Sequence, residues 1–176
     1  IQETVSKHFK YIYVEGNSST GKNLIIFEIA KRYISNFLNL EIADLKSGSN
    51  IEIIAIEMKN RIQLDCPQLD FPVFLKGTVD RVDKRNGVIR IIDYKSGKVE
   101  KNKVEVVNWE DITTDYDKYS KSFQVLSYAL MMDISNRFKE PVEAGIISFK
   151  NLNSGFLKFA KKDRSGAYAK KVELLD

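Results

Sequence analysis

VFLKGTVDRVDKRNGVIRIIDYKSG, residues 73–97, decides how this chain folds. Two runs rich in β-branched residues flank Asn86-Gly87, a strong short hairpin signal because a type I′ turn needs positive φ at both central residues. A two-residue turn there pairs Arg85 with Val88 and, counting outward, Asp80 with Asp93 and Thr78 with Lys95. Side chains alternate faces along a strand, so Asp80, Asp93 and Lys95 are predicted on one face. Directly opposed residues have Cβ atoms about 4.5–5.5 Å apart, and like charges so placed destabilise a sheet. Strand carboxylates usually point into solvent, but Asp93 sits inside the apolar run VIRIIDY, where an unpaired carboxylate is costly. A divalent cation between the two aspartates resolves both difficulties. Hard oxygen donors favour Mg²⁺ or Mn²⁺, and Mg²⁺ usually takes one or two carboxylates plus waters and a substrate phosphate. Lys95 beside them suits charge developing on a phosphate, so the three residues together describe phosphodiester hydrolysis.

Outward from the hairpin, IEIIAIEMKNRIQL at 51–64 reads as a strand, and Pro67 and Pro72 bracket a connecting loop. LIIFEIAKRYISNFLNL at 24–40 places Ile25, Ile29, Ile34 and Leu38 on one face and predicts a helix. Residues 98–116 are polar, contain Trp109, and read as a long loop or flap crossing the surface. From Asp117 to Phe138, Tyr119, Phe123, Leu126 and Leu130 recur at helical spacing, with Pro141 just beyond. AGIISFKN and GFLKFAKK, separated by Asn153-Ser154-Gly155, predict a closing hairpin. No internal repeat or low-complexity tract interrupts the pattern.

The 176 residues, 43% hydrophobic with ten Phe and eight Tyr, suit one globular domain and argue against disorder. Lys and Arg exceed Asp and Glu by 28 to 24, a formal charge of +4 that permits a polyanionic partner. Cys66 is the only cysteine, which excludes an internal disulfide or a multi-cysteine metal site and fits a reducing, cytoplasmic setting. No apolar run reaches membrane-spanning length and Ile1-Gln2-Glu3 does not open a signal peptide. The missing initiator Met suggests an excised piece of a longer protein.

Three motifs stand in a fixed order: GTVDRVD at 77–83, IIDYKSG at 91–97, and Gln124-Val125-Leu126-Ser127-Tyr128. They resemble the GxxD, (D/E)xK and QxxxY motifs of RecB-like PD-(D/E)xK nucleases, over about residues 51–150. The stretch is also similar to the carboxy-terminal nuclease domain of AddB-type helicase–nucleases of bacterial recombination. The resemblance implies a restriction-endonuclease-like α/β core, a mixed sheet flanked by helices. It further implies Asp80 and Asp93 as ligands of Mg²⁺ or Mn²⁺, Lys95 as catalytic, DNA as substrate and a helicase domain or subunit as partner. Gln124 and Tyr128, four apart on one helix face, place an amide beside a phenol that can meet the site or a DNA strand.

Two departures accompany the likeness. Many relatives supply a further metal ligand, often His or Glu, from an upstream helix. No upstream motif here matches it clearly, which leaves His8, the only histidine, and Glu57 as candidates. The four cysteines that hold an iron–sulfur cluster in AddB-like domains are also absent.

Two rival readings compete. GNSSTGKN at 16–23 matches the GxxxxGK of a phosphate-binding loop between strand-like and helix-like segments. Asn23, however, replaces the hydroxyl residue that should hold Mg²⁺, and the Asp93 run lies in an antiparallel hairpin, so a Gly/Ser turn capping the next helix fits better. The other rival is a catalytically incomplete nuclease fold that only grips nucleic acid. Its phosphate contacts would come from Lys98, Lys101, Lys103, Lys118 and Lys121, and from Lys158, Lys161, Lys162 and Arg164, unless both groups are simply solvated surface.

Overall fold

The computed structural model describes residues 2–14, 19–135 and 137–163. The chain forms two compact units, Ile1–Gly48 and Ser49–Asp176. In the first, α1 (Gln2–Ile12) and α2 (Gly21–Lys46) meet where the rings of Phe9 and Phe27 lie 4.8 Å apart. The predicted helix over 24–40 is thus the middle of a longer one, whereas the strand-like YIYV at 11–14 forms no strand: Tyr11 and Ile12 end α1. Residues 16–18 of the GNSSTGKN motif lie outside the described residues; Gly21, Lys22 and Asn23 form the first turn of α2. No helix among the described residues is long and apolar enough to cross a membrane.

The second unit is built on a five-stranded mixed sheet. It contains β1 (Ile51–Leu64), β2 (Val73–Arg85), β3 (Val88–Lys95), β5 (Val142–Ser148) and β6 (Phe156–Lys158), in that spatial order. β4 (Glu105–Val106) and β7 (Ala160–Lys161) pair separately. β1, β2 and β3 run antiparallel, β3 and β5 parallel, and β5 and β6 antiparallel. A parallel pair needs a crossover, and α4 (Tyr116–Ile134) supplies it between β3 and β5. Asp115 starts α4 by accepting a hydrogen bond from the Lys118 amide 3.1 Å away, the usual satisfaction of an orphan donor at a helix start. This α/β core, a mixed sheet flanked by helices, is the expected restriction-endonuclease-like fold.

The turn is as the sequence predicts: Asn86 and Gly87 have φ of 50° and 88°, and the ladder runs from Arg85↔Val88 to Arg81↔Ile92. One side of the sheet buries Ile89, Ile91, Ala144 and Ile146 with Val125, Ala129 and Met132 of α4. Each Ile, Val and Met among them contributes about 1.5–3 kcal/mol through burial. The other side carries Asp83, which has no solvent exposure. It accepts two hydrogen bonds from Arg90, at 2.7 and 2.8 Å, and an ion pair from Arg81 at 2.6 Å. Arg81 also donates to the Tyr94 hydroxyl.

Residues 98–116 depart from the surface loop that their polarity suggests. A 3₁₀ turn (Lys101–Val104), β4 and the short α3 (Asp111–Thr114) occupy the segment, and Val99, Val104 and Val106 are buried. Isolated valines among charges leave no periodicity, yet they anchor the crossing to the core. Trp109 stacks on Phe159, with centroids 5.9 Å apart. The closing hairpin forms between β5 and β6, joined by a 3₁₀ segment (Phe149–Ser154).

Candidate active site

Regular alternation fails at Asp80. Val79 and Val82 are three residues apart, so a regular strand would turn them to opposite faces, yet both join the same buried cluster. Across from this point Glu57 has φ of 50°, a conformation uncommon outside glycine, between the pairs Ile56↔Arg81 and Met58↔Val79. The β2–β3 ladder ends at Arg81↔Ile92, one step before Asp80 and Asp93. Where the backbone bond is missing, Asp80 Oδ2 accepts from the Tyr94 amide at 2.6 Å. The strands part here, and a carboxylate fills the gap.

Asp93 projects toward α4 and is only 3% exposed. Its Oδ1 accepts from Gln124 Nε2 at 2.9 Å, and Lys95 Nζ lies 2.7 Å from its Oδ2. The same Lys95 ammonium donates to Gln124 Oε1 at 2.9 Å. Only one orientation of the amide fits, with oxygen to the ammonium and nitrogen to the carboxylate. Gln124 Nε2 also lies 2.8 Å from the Tyr128 hydroxyl, which makes one connected network of Asp93, Lys95, Gln124 and Tyr128. Asp80 joins it electrostatically: burial raises both the Asp93 carboxyl and the Tyr128 phenol, and the Asp80 charge adds to each rise.

Burial pushes the Asp93 carboxyl above the ordinary carboxylate range, and the Asp80 charge adds to the rise. The Lys95 ammonium and, more weakly, Lys121 oppose it. The native state therefore holds this proton more tightly than the unfolded chain. Asp93 favours the fold below the unfolded carboxylate range, and that contribution is lost as pH rises through the raised native value. Asp93→Asn should consequently melt higher than the parent at neutral pH in chelator. Calorimetry across pH should show the gap closing toward about pH 4, near the unperturbed carboxylate value. A gap that does not change with pH would detach the stability difference from this ionisation.

The glycine of GTVD has a packing role that the hairpin reading did not detect. A Cβ on Gly77 would stand 3.0 Å from Tyr128 Cε1 and 3.1 Å from Met131 Cε, so its absence seats the tyrosine ring against β2. Gly77→Ala should cost on the order of 1–3 kcal/mol through overpacking. Denaturant unfolding reads it, and an unchanged midpoint would show that the ring yields freely.

Oδ2 of Asp93 is buried and receives no directed hydrogen bond, only the ion pair. A buried carboxylate oxygen with spare capacity beside a second aspartate suits a hard divalent cation. Among the described residues, no three His, Cys, Asp or Glu side chains gather to hold a metal. Glu57 is exposed and does not complete such a group with Asp80 and Asp93. His8 lies in α1, in the other unit.

Most of the proposed basic groups already have partners. Lys98 pairs with Glu100, Lys101 and Lys162 with Glu105, and Lys158 with Glu143, while Lys103 and Lys161 donate to carbonyls and Lys118 lies over Tyr119. Lys121 has no such partner among the described residues, and Arg164 lies outside them.

An acidic pair and a lysine stand together where an antiparallel hairpin opens beneath a crossover helix. The family model of the PD-(D/E)XK nuclease superfamily matches residues 14–174, and the chain belongs to that superfamily. No curated protein matches the chain.

Proposed function

We propose that this chain is a metal-dependent deoxyribonuclease of the RecB-like and AddB-like kind, an exonuclease working with a helicase domain or subunit in recombination or repair. The observation that carries the reading is the half-buried Asp93–Lys95–Gln124–Tyr128 network beside Asp80. Asp80 and Asp93 would hold Mg²⁺ or Mn²⁺, whose chemistry is Lewis-acid polarisation of a phosphoryl oxygen. Lys95, fixed by Asp93 and Gln124, stands ready to offset charge that develops on the phosphate. Gln124 holds the lysine and the carboxylate in register, and the Tyr128 hydroxyl extends that polar edge toward the substrate. The low dielectric around Asp93 strengthens each of these interactions relative to water.

The test is DNA cleavage by this chain in Mg²⁺, in Mn²⁺ and in chelator. Cutting that depends on the ion supports the enzyme. Tight DNA binding without cutting would favour a gripping module, a reading to which the missing third ligand among the described residues lends support.

A further inference from the structure

β3 carries Asp93 and Lys95 on its least supported stretch. Its ladder to β2 has already ended at Arg81↔Ile92, and its ladder to β5 ends at Lys95↔Ser148, so the lysine is the last paired residue of the strand. Ser96, Gly97 and Lys98, which follow, have no regular structure. A strand end without ladder partners frays, and a lysine standing on it would lose its place between Asp93 and Gln124.

Two side chains from beyond β5 hold this stretch instead. Ser148, opposite Lys95 in the ladder and 1% exposed, donates its hydroxyl to the Gly97 carbonyl at 2.7 Å. Asn151 pairs with both backbone groups of Val99: its Oδ1 accepts from the amide at 3.1 Å and its Nδ2 donates to the carbonyl at 2.8 Å. A side-chain amide offers the same donor and acceptor as a peptide group, so Asn151 does for Val99 what a further strand residue would do. Val99 is buried, which anchors the far end of the stretch. Asn151 itself leaves helical geometry within its 3₁₀ segment, at φ −133° and ψ 55°, and Nδ2 also donates to Ser154 Oγ at 3.0 Å, which fixes the orientation of the amide.

We propose that Asn151, with Ser148, is a positioning residue for Lys95: it continues β3 past its last ladder pair and so keeps the ammonium in place for cleavage. The proposal rests on the nuclease reading of Lys95 and adds a residue that lies outside the three motifs. A reacting group displaced by about 1 Å can lose on the order of 10²-fold in rate.

Acetylation by a limiting amount of acetic anhydride, in chelator and read by mass spectrometry, follows the lysine without cleavage. Lys84 is the reference, because it too is ion-paired and its side chain is 35% exposed against 30% for Lys95. In Asn151→Ala, Lys95 should label several-fold faster while Lys84 is unchanged. Asn151→Asp keeps the size and the acceptor but loses the donor to the Val99 carbonyl, and should lie between. No rise at Lys95, or an equal rise at Lys84, would overturn the proposal.

Single-turnover cleavage in Mn²⁺ supplies the second arm. Asn151→Ala should cut about 10²-fold more slowly with KM for DNA unchanged, and should cause no further loss in a Lys95→Met background, because residues that act through one another are not additive. The same loss in both backgrounds would mean that Asn151 serves only the fold, which sinks the proposal. A parent chain that cuts nothing, while Lys95 labelling still answers to Asn151, ends the nuclease reading and leaves the latch standing. Cutting at the parental rate by Asn151→Ala does the reverse.

Discussion

Lys95→Met should slow single-turnover DNA cleavage by on the order of 10²–10³ and leave DNA affinity nearly unchanged. Methionine keeps much of the side-chain length and removes the ammonium. That ammonium sits 2.7 Å from Asp93 and 2.9 Å from Gln124, and its side chain is 30% exposed, so it meets both the half-buried network and solvent. Losing one preorganised charge is felt mainly in the transition state, whereas one phosphate contact among several changes affinity much less. Rate and affinity must be compared at one salt concentration. A variant that cuts at the normal rate would remove Lys95 from the chemistry. Equal losses in rate and affinity would make it a gripping residue and favour the binding module.

The hairpin was legible because its determinants are local. Asn86-Gly87 admits the positive φ values of the turn, and the turn then fixes register residue by residue as far as Arg81↔Ile92. Simple counting placed Asp80 opposite Asp93 and assumed regular alternation up to that point. The structure shows where alternation stops: Val79 and Val82 share one cluster, the ladder ends, and Asp80 takes the Tyr94 amide. Such a break depends on packing from β1 and α4, which no periodicity within β2 reports.

Gln124 and Tyr128 were found through helical spacing and motif order, but their bonds to Lys95 and Asp93 depend on the crossover that brings α4 over β3. The role of Gly77 is tertiary in the same way, because nothing in GTVD specifies that a tyrosine ring 51 residues later needs its missing side chain. The buried triad of Arg81, Asp83 and Arg90 was also missed. In sequence these are alternating charges on a strand, the usual mark of a solvated face. Their mutual pairing, with two guanidinium groups on one carboxylate, is what allows them inside. The surface loop expected at 98–116 failed for a related reason, since single buried valines leave no pattern to count.

The second large effect concerns the ion. A ligand that binds only the native state adds stability by mass action, about 2.7 kcal/mol at a hundredfold excess over Kd. Asp80 is one of two carboxylates at the opening between β2 and β3, and Mg²⁺ or Mn²⁺ rarely relies on fewer than one or two. Asp80→Ala also loses the bond to the Tyr94 amide, so its absolute stability will fall. The informative quantity is therefore the shift that the ion produces in each protein, relative to the same protein in chelator. Calorimetric unfolding across a Mn²⁺ titration, of the parent and Asp80→Ala side by side, tests the proposed metal centre most directly. The parent should gain stability with rising Mn²⁺ while Asp80→Ala gains none; equal gains in both would mean that the ion binds elsewhere and that Asp80 and Asp93 do not form the site.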